Sequence, residues 1–171
     1  MKLRLAFVVG AAAALVGCGG PEATVGIADV EGTDAVKSGE YEADAVEVKN
    51  EGDGYRVSVT LEDDEPCTTI TLAFCADAES GTLSPVRGDW SCNSAAADMY
   101  QPNAFTVGVN VVCHDTFSSW GNDGNDATIA LDDDEVHLEF EGRLDGNGTT
   151  AGAFTLSFEA TFSKDDAEED G

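Results

Sequence analysis

The residues of this chain best suited to chemistry are three oxygen-rich clusters: Glu62-Asp63-Asp64-Glu65, Asn122-Asp123-Gly124-Asn125-Asp126 and Asp145-Gly146-Asn147. A hard cation such as Ca2+ takes about six to eight oxygen ligands, and Asp63, Asp64, Asp123, Asp126 and Asp145 are the carboxylates that would supply them. Alternating strand directions would bring the three clusters to one end of a β-domain. None of them has the D-x-[DN]-x-[DN]-G spacing of a calcium loop, and Asp, Asn and Gly are also what tight turns need for local reasons. Solvated turns are therefore the stronger expectation, with Ca2+ as the one cofactor to test.

Nucleophilic catalysis has little material. His114 follows Cys113 directly, and neighbours on a strand face opposite sides, so the two do not form a thiol–imidazole dyad. His137 falls on the polar face of an alternating segment, among Glu139 and Glu141. The chain lacks a G-x-S-x-G elbow, an H-E-x-x-H pair and a glycine-rich phosphate loop. Without a nucleophile, base and orienting group in view, the expectation is a protein that is not an enzyme.

The amino terminus carries a different kind of chemistry. Lys2 and Arg4 precede an uncharged run from Leu5 to Val16, a charged n-region followed by an h-region. The run is too short to span a bilayer, which needs roughly 20 residues. It ends in Leu15-Val16-Gly17-Cys18, which resembles the lipobox of bacterial lipoproteins. The resemblance implies a signal peptide over residues 1–17 and a diacylglycerol on the thiol of Cys18. Gly19 stands where many enteric inner-membrane lipoproteins have Asp, so the resemblance points to an outer-membrane or surface location, with the membrane reached through the lipid anchor.

With Cys18 assigned to lipid, Cys67, Cys75, Cys92 and Cys113 remain. An even number in an exported chain argues for disulfides, and no pair has the C-x-x-C spacing that zinc sites favour. If segments 67–75 and 104–113 pair antiparallel, Cys67 lies near Cys113, leaving Cys75 beside Cys92. That register has a weakness: it sets Ile70, Leu72 and Phe74 against Thr106, Gly108 and Asn110.

The charge is one-sided, with 34 acidic residues against eight basic ones. Removing Lys2 and Arg4 with the signal takes the formal charge from -26 to -28. Such a surface repels phosphate backbones, so nucleic acid is excluded as a partner. Solubility alone is sufficient reason for the acidity.

The elements that must position these residues are strands. Tyr55, Val57, Val59 and Leu61 alternate with polar residues, as do Val136, Leu138 and Phe140, and then Phe154, Leu156, Phe158, Ala160 and Phe162. Asp145-Gly146-Asn147-Gly148 reads as the hairpin turn between the last two. Further strands are expected at 41–49, with a bulge between Ala45 and Val46, and at 67–75, 104–113 and 127–131. The prediction is an all-β domain over residues 40–163, an antiparallel sandwich of about seven strands, with a small closed barrel as the alternative. Residues 18–39 read as a flexible tether with a reach of roughly 25 Å, and 164–171 as a disordered acidic tail.

The function expected is a non-enzymatic binding or structural module of the envelope, its partner unidentified. Trp90, Tyr100 and Trp120 on connecting segments would supply contact. A small-ligand carrier barrel and a Ca2+-dependent adhesion module are the alternatives.

Overall fold

The structure, a computed structural model, describes residues 20–61, 68–75, 81–86, 90–96, 98–113, 116–122, 127–131 and 135–167, the side chains of 112, 113, 116, 117, 122 and 127–131 excepted. The chain is all-β. Ten strands lie within the described residues: β1 (Glu22–Glu31), β2 (Gly39–Asn50), β3 (Gly54–Leu61), β4 (Thr68–Cys75), β5 (Gly81–Pro85), β6 (Ala104–Cys113), β7 (Thr116–Asn122), β8 (Ala127–Leu131), β9 (Glu135–Gly146) and β10 (Ala153–Ser163).

Eight of them form a ring of antiparallel pairs. β1 bonds β2, which is followed in turn by β3, β4, β6, β7, β9 and β10, and β10 returns to β1. β5 and β8 make a second bridge between β6 and β9 below β7, with β5 parallel to β6 and antiparallel to β8. The result is one continuous closed sheet around a packed interior. An eight-strand barrel is just wide enough for side chains to fill. Here Trp120, Phe74, Phe105, Phe154, Ile70 and Leu72 are fully buried. Contacts cross the interior, as between the rings of Tyr55 on β3 and Phe162 on β10, 5.5 Å apart.

The long β9–β10 hairpin forms as its alternation dictates, with Phe140 opposite Phe158 and Leu138 opposite Ala160 on the inner face. Its connection is longer than the tight turn predicted. It occupies 147–152, with Gly148 and Gly152 at φ of +60° and +90°. The bulge in β2 lies at Asp44, between Ala43 and Ala45, one residue before the predicted place.

Four expectations are corrected. Residues 22–31 are a strand rather than part of a tether, because Val25 and Ile27 point inward and are buried, filling the gap between β10 and β2. Without β1 those two strands would present open edges. Ten strands replace seven: β5 is short, the serine-rich β7 is mostly polar, and the alternation of β1 is set among glycines, acidic residues and a proline. The tail begins in order: Lys164–Asp166 form a 3-10 turn, with the Ser163 hydroxyl accepting from Asp165 N–H and the Asp166 carboxylate accepting from Ser163 N–H.

The fourth correction is one of register. Ile70, Leu72 and Phe74 lie opposite Val109, Val107 and Phe105, one residue away from the alignment that set Cys67 against Cys113. A one-residue slip would turn every side chain of one strand to the wrong face, so the apolar faces decide the pairing.

Candidate functional site

The described surface has an open groove of about 930 Å³ on the outer wall, across β9, β10, β1 and β2. The ladder explains its shape. Glu139, Glu159, Thr24 and Glu42 form one row across the four strands, because each is the register partner of the next. Glu141, Ser157, Gly26 and Glu40 form the row beside it. The floor is therefore made of small residues and both walls of glutamates. A Cβ at Gly26 would meet the Ser157 hydroxyl on β10, so a side chain there would turn that hydroxyl aside. Five carboxylates and no basic side chain line the groove, so their potentials add.

At one end of this wall His137 joins the carboxylates. Its Nε2 is 3.2 Å from Glu139 Oε1 and 3.8 Å from Glu159 Oε1. Its Nδ1 is 3.0 Å from the Thr161 hydroxyl on β10. The sequence placed His137 on the solvent face among glutamates, which is where it lies. Glu159 was missed as its partner; the hairpin register, once known, is the signal that finds it.

A second built feature sits at the end of the barrel where β3 starts and β4 ends. Cys75 and Cys92 form a disulfide with Cα atoms 5.1 Å apart, the second of the two pairings read from the sequence. The bridge ties the segment after β5 to the end of β4, beside the β2–β3 turn. There Asp53 N–H donates to the Cys92 carbonyl at 2.7 Å, and the Asp53 carboxylate accepts from Ser94 N–H at 2.8 Å. Gly54 leaves room for it, since a Cβ would collide with the Phe74 carbonyl and stand 2.9 Å from Cys92 Sγ.

Hydrogen bonds from the Ser94 side chain and backbone hold the Asp53 carboxyl below its ordinary value of 3.8. A depressed carboxylate contributes stability above its unfolded pKa and loses it as the pH falls through the folded one. Acid titration of the melting temperature is therefore expected to fall more steeply below about pH 4 in the parent than in Asp53→Asn. Parallel curves would show that this contact does not pin the loop.

The remaining sequence candidates are dispersed. Cys18, Cys67, Asp63, Asp64, Asp123, Asp126 and His114 lie outside the described residues, as does the side chain of Cys113. Asp145 lies on β9 with its Oδ1 3.5 Å from Arg143 Nε, and Arg143 also meets Glu31 at 3.1 Å. The three acidic clusters would share one end if the chain reversed direction at each connection. β7 and β8 instead run the same way along β9, with Asn122 opposite Leu144 and Ala127 opposite Phe140. Of the three aromatics assigned to contact, Trp120 is on β7 and wholly buried, and Trp90 and Tyr100 are half-buried. Met99 is the large apolar side chain that the described surface leaves exposed. Comparison with protein families, curated proteins and solved structures finds nothing that matches this chain.

Proposed function

We propose that this chain is an exported, lipid-anchored envelope protein whose barrel is a non-enzymatic binding module, and that its groove takes an extended cationic ligand such as a Lys- and Arg-rich peptide segment. The observation that carries the binding half is the groove itself: a floor of Thr24, Gly26 and Ser157 between walls of Glu40, Glu42, Glu139, Glu141 and Glu159. The floor admits a main chain at close range, and the walls present carboxylates to side-chain cations on both sides. Such pairing gives rapid, salt-sensitive association. The interior is a weaker candidate, because aromatic and aliphatic side chains occupy it.

The anchor half rests on Leu15-Val16-Gly17-Cys18 and its flanking charges and apolar run. Only Gly19, Gly20 and Pro21 separate Cys18 from β1, a leash of about 14 Å at full extension. The barrel would thus ride close to the membrane surface, in an outer-membrane or surface location.

Binding of a fluorescent oligolysine to the full chain tests the groove. Saturable binding that weakens with added salt is expected, and the triple variant Glu40→Gln, Glu42→Gln, Glu141→Gln should bind at least tenfold more weakly. Equal binding by the two proteins would overturn the groove reading. Mass spectrometry of membrane-extracted protein tests the anchor, which falls if Met1 is retained and Cys18 carries no acyl chain.

A further inference from the structure

We infer that His137, Glu139 and Glu159 bind one divalent transition-metal ion, Zn2+ being the ion of choice. These side chains bring three potential ligand atoms within 4.8 Å of one another. An ion held about 2.0–2.2 Å from each ligand in tetrahedral geometry sets those atoms roughly 3.3–3.6 Å apart. The Nε2 separations of 3.2 and 3.8 Å fall on either side of that spacing, so small side-chain rotations close the site.

Two features beyond the three ligands support it. First, the Thr161 hydroxyl, 3.0 Å from Nδ1, can accept a hydrogen bond from Nδ1–H and leave the Nε2 lone pair aimed at the carboxylates. A partner on the far ring nitrogen is how metal-binding histidines are oriented. Second, the ladder holds Glu139 directly opposite Glu159 and His137 directly opposite Thr161 on two long, continuously paired strands. Like charges directly opposed across a sheet cost stability, and a cation between them reverses that cost. Ligands on paired strands are also held more precisely than ligands on loops.

The donor set selects the metal. One imidazole nitrogen with two carboxylates suits Zn2+, whereas Ca2+ and Mg2+ favour all-oxygen sites. The three side chains are 36%, 59% and 59% exposed, so coordination positions stay open to water or to a donor from another molecule. This site differs in place and in ligand type from the acidic-loop Ca2+ site considered from the sequence.

The test is calorimetric titration of the chelator-treated full chain with ZnCl2 and, separately, CaCl2. The expected result is one Zn2+ per chain, bound at least tenfold more tightly than Ca2+, with His137→Ala weakening Zn2+ at least tenfold. Thr161→Val should weaken it by about tenfold while leaving the metal-free melting temperature close to that of the parent. Zn2+ should also move the ring nitrogen resonances of His137 in the unsubstituted chain, which gives a reading even if a variant does not fold. Zn2+ affinity unchanged in His137→Ala, Ca2+ bound as tightly as Zn2+, or His137 resonances that ignore Zn2+ would each overturn the inference. The groove test leaves these three ligands intact, so the two proposals fail separately.

Discussion

Trp120→Ala is expected to cost about 3–5 kcal/mol of stability, a large share of what holds a domain of this size together. Trp120 is fully buried on β7, and its ring meets Phe154 edge-on at 5.5 Å. Truncation removes the largest of the fully buried side chains and leaves a void that paired strands on both sides cannot collapse into. Trp120→Phe separates volume from polarity. The indole N–H is buried without a hydrogen-bond partner among the described residues, and an unmatched buried donor is itself costly. Phenylalanine keeps an aromatic contact with Phe154 and deletes that donor, so its net cost should be about 1 kcal/mol or less. Urea unfolding of the three proteins measures both values. A loss below 1 kcal/mol for the alanine variant would show that the barrel is not tightly filled at this end.

Removal of the Cys75–Cys92 bridge should be the next most damaging change. The two residues are 17 apart in sequence, and closing a loop of this size stabilises by about 3 kcal/mol, chiefly by restricting the unfolded chain. In a chain of this length that corresponds to a fall of roughly 6–12 °C in melting temperature. Alanine at both positions avoids burying hydroxyls where Cys75 and Cys92 are 0% and 5% exposed. A reducing agent added to the parent protein should lower the midpoint by a similar amount and leave that of the double variant unmoved. If the parent is indifferent to reductant, the bridge does not contribute to stability.

How far the fold is legible in the sequence depends on how strictly each segment alternates. β3, β9 and β10 put an apolar side chain at every second position, and their inward residues are read correctly from period two alone. β1 also alternates, through Ala23, Val25 and Ile27, but glycines, acidic residues and a proline surround it, and its place between β10 and β2 is set by partners far along the chain. β7 reads as a polar connection because, among its described side chains, Trp120 is the one large residue that points inward. The β4–β6 register was in principle readable: matching apolar to apolar gives the observed pairs, whereas matching cysteine to cysteine does not.

The groove was beyond reach for a related reason. Its wall glutamates come from β2 and β9, nearly a hundred residues apart, and from Glu159 on β10, and they meet only because β1 and β10 lie between β2 and β9. The His137 cluster sits at an intermediate level. His137 and Glu139 are two apart on one strand, but Glu159 joins them only when the connection spans 147–152. The Asn-Gly and Asp-Gly pairs signal a turn without fixing its length.

The strand that closes the ring also dictates when folding can finish. Glu22, at the start of β1, pairs with Thr161, near the end of β10. The cylinder cannot be completed before β10 is made, since β1 and β9 lack their shared partner until then. Pairings between such distant residues are slow to form, because a long loop must close before any contact compensates for it. Until then β1 and β2 stay pliable, and the interior locks only when the last strand arrives between β9 and β1.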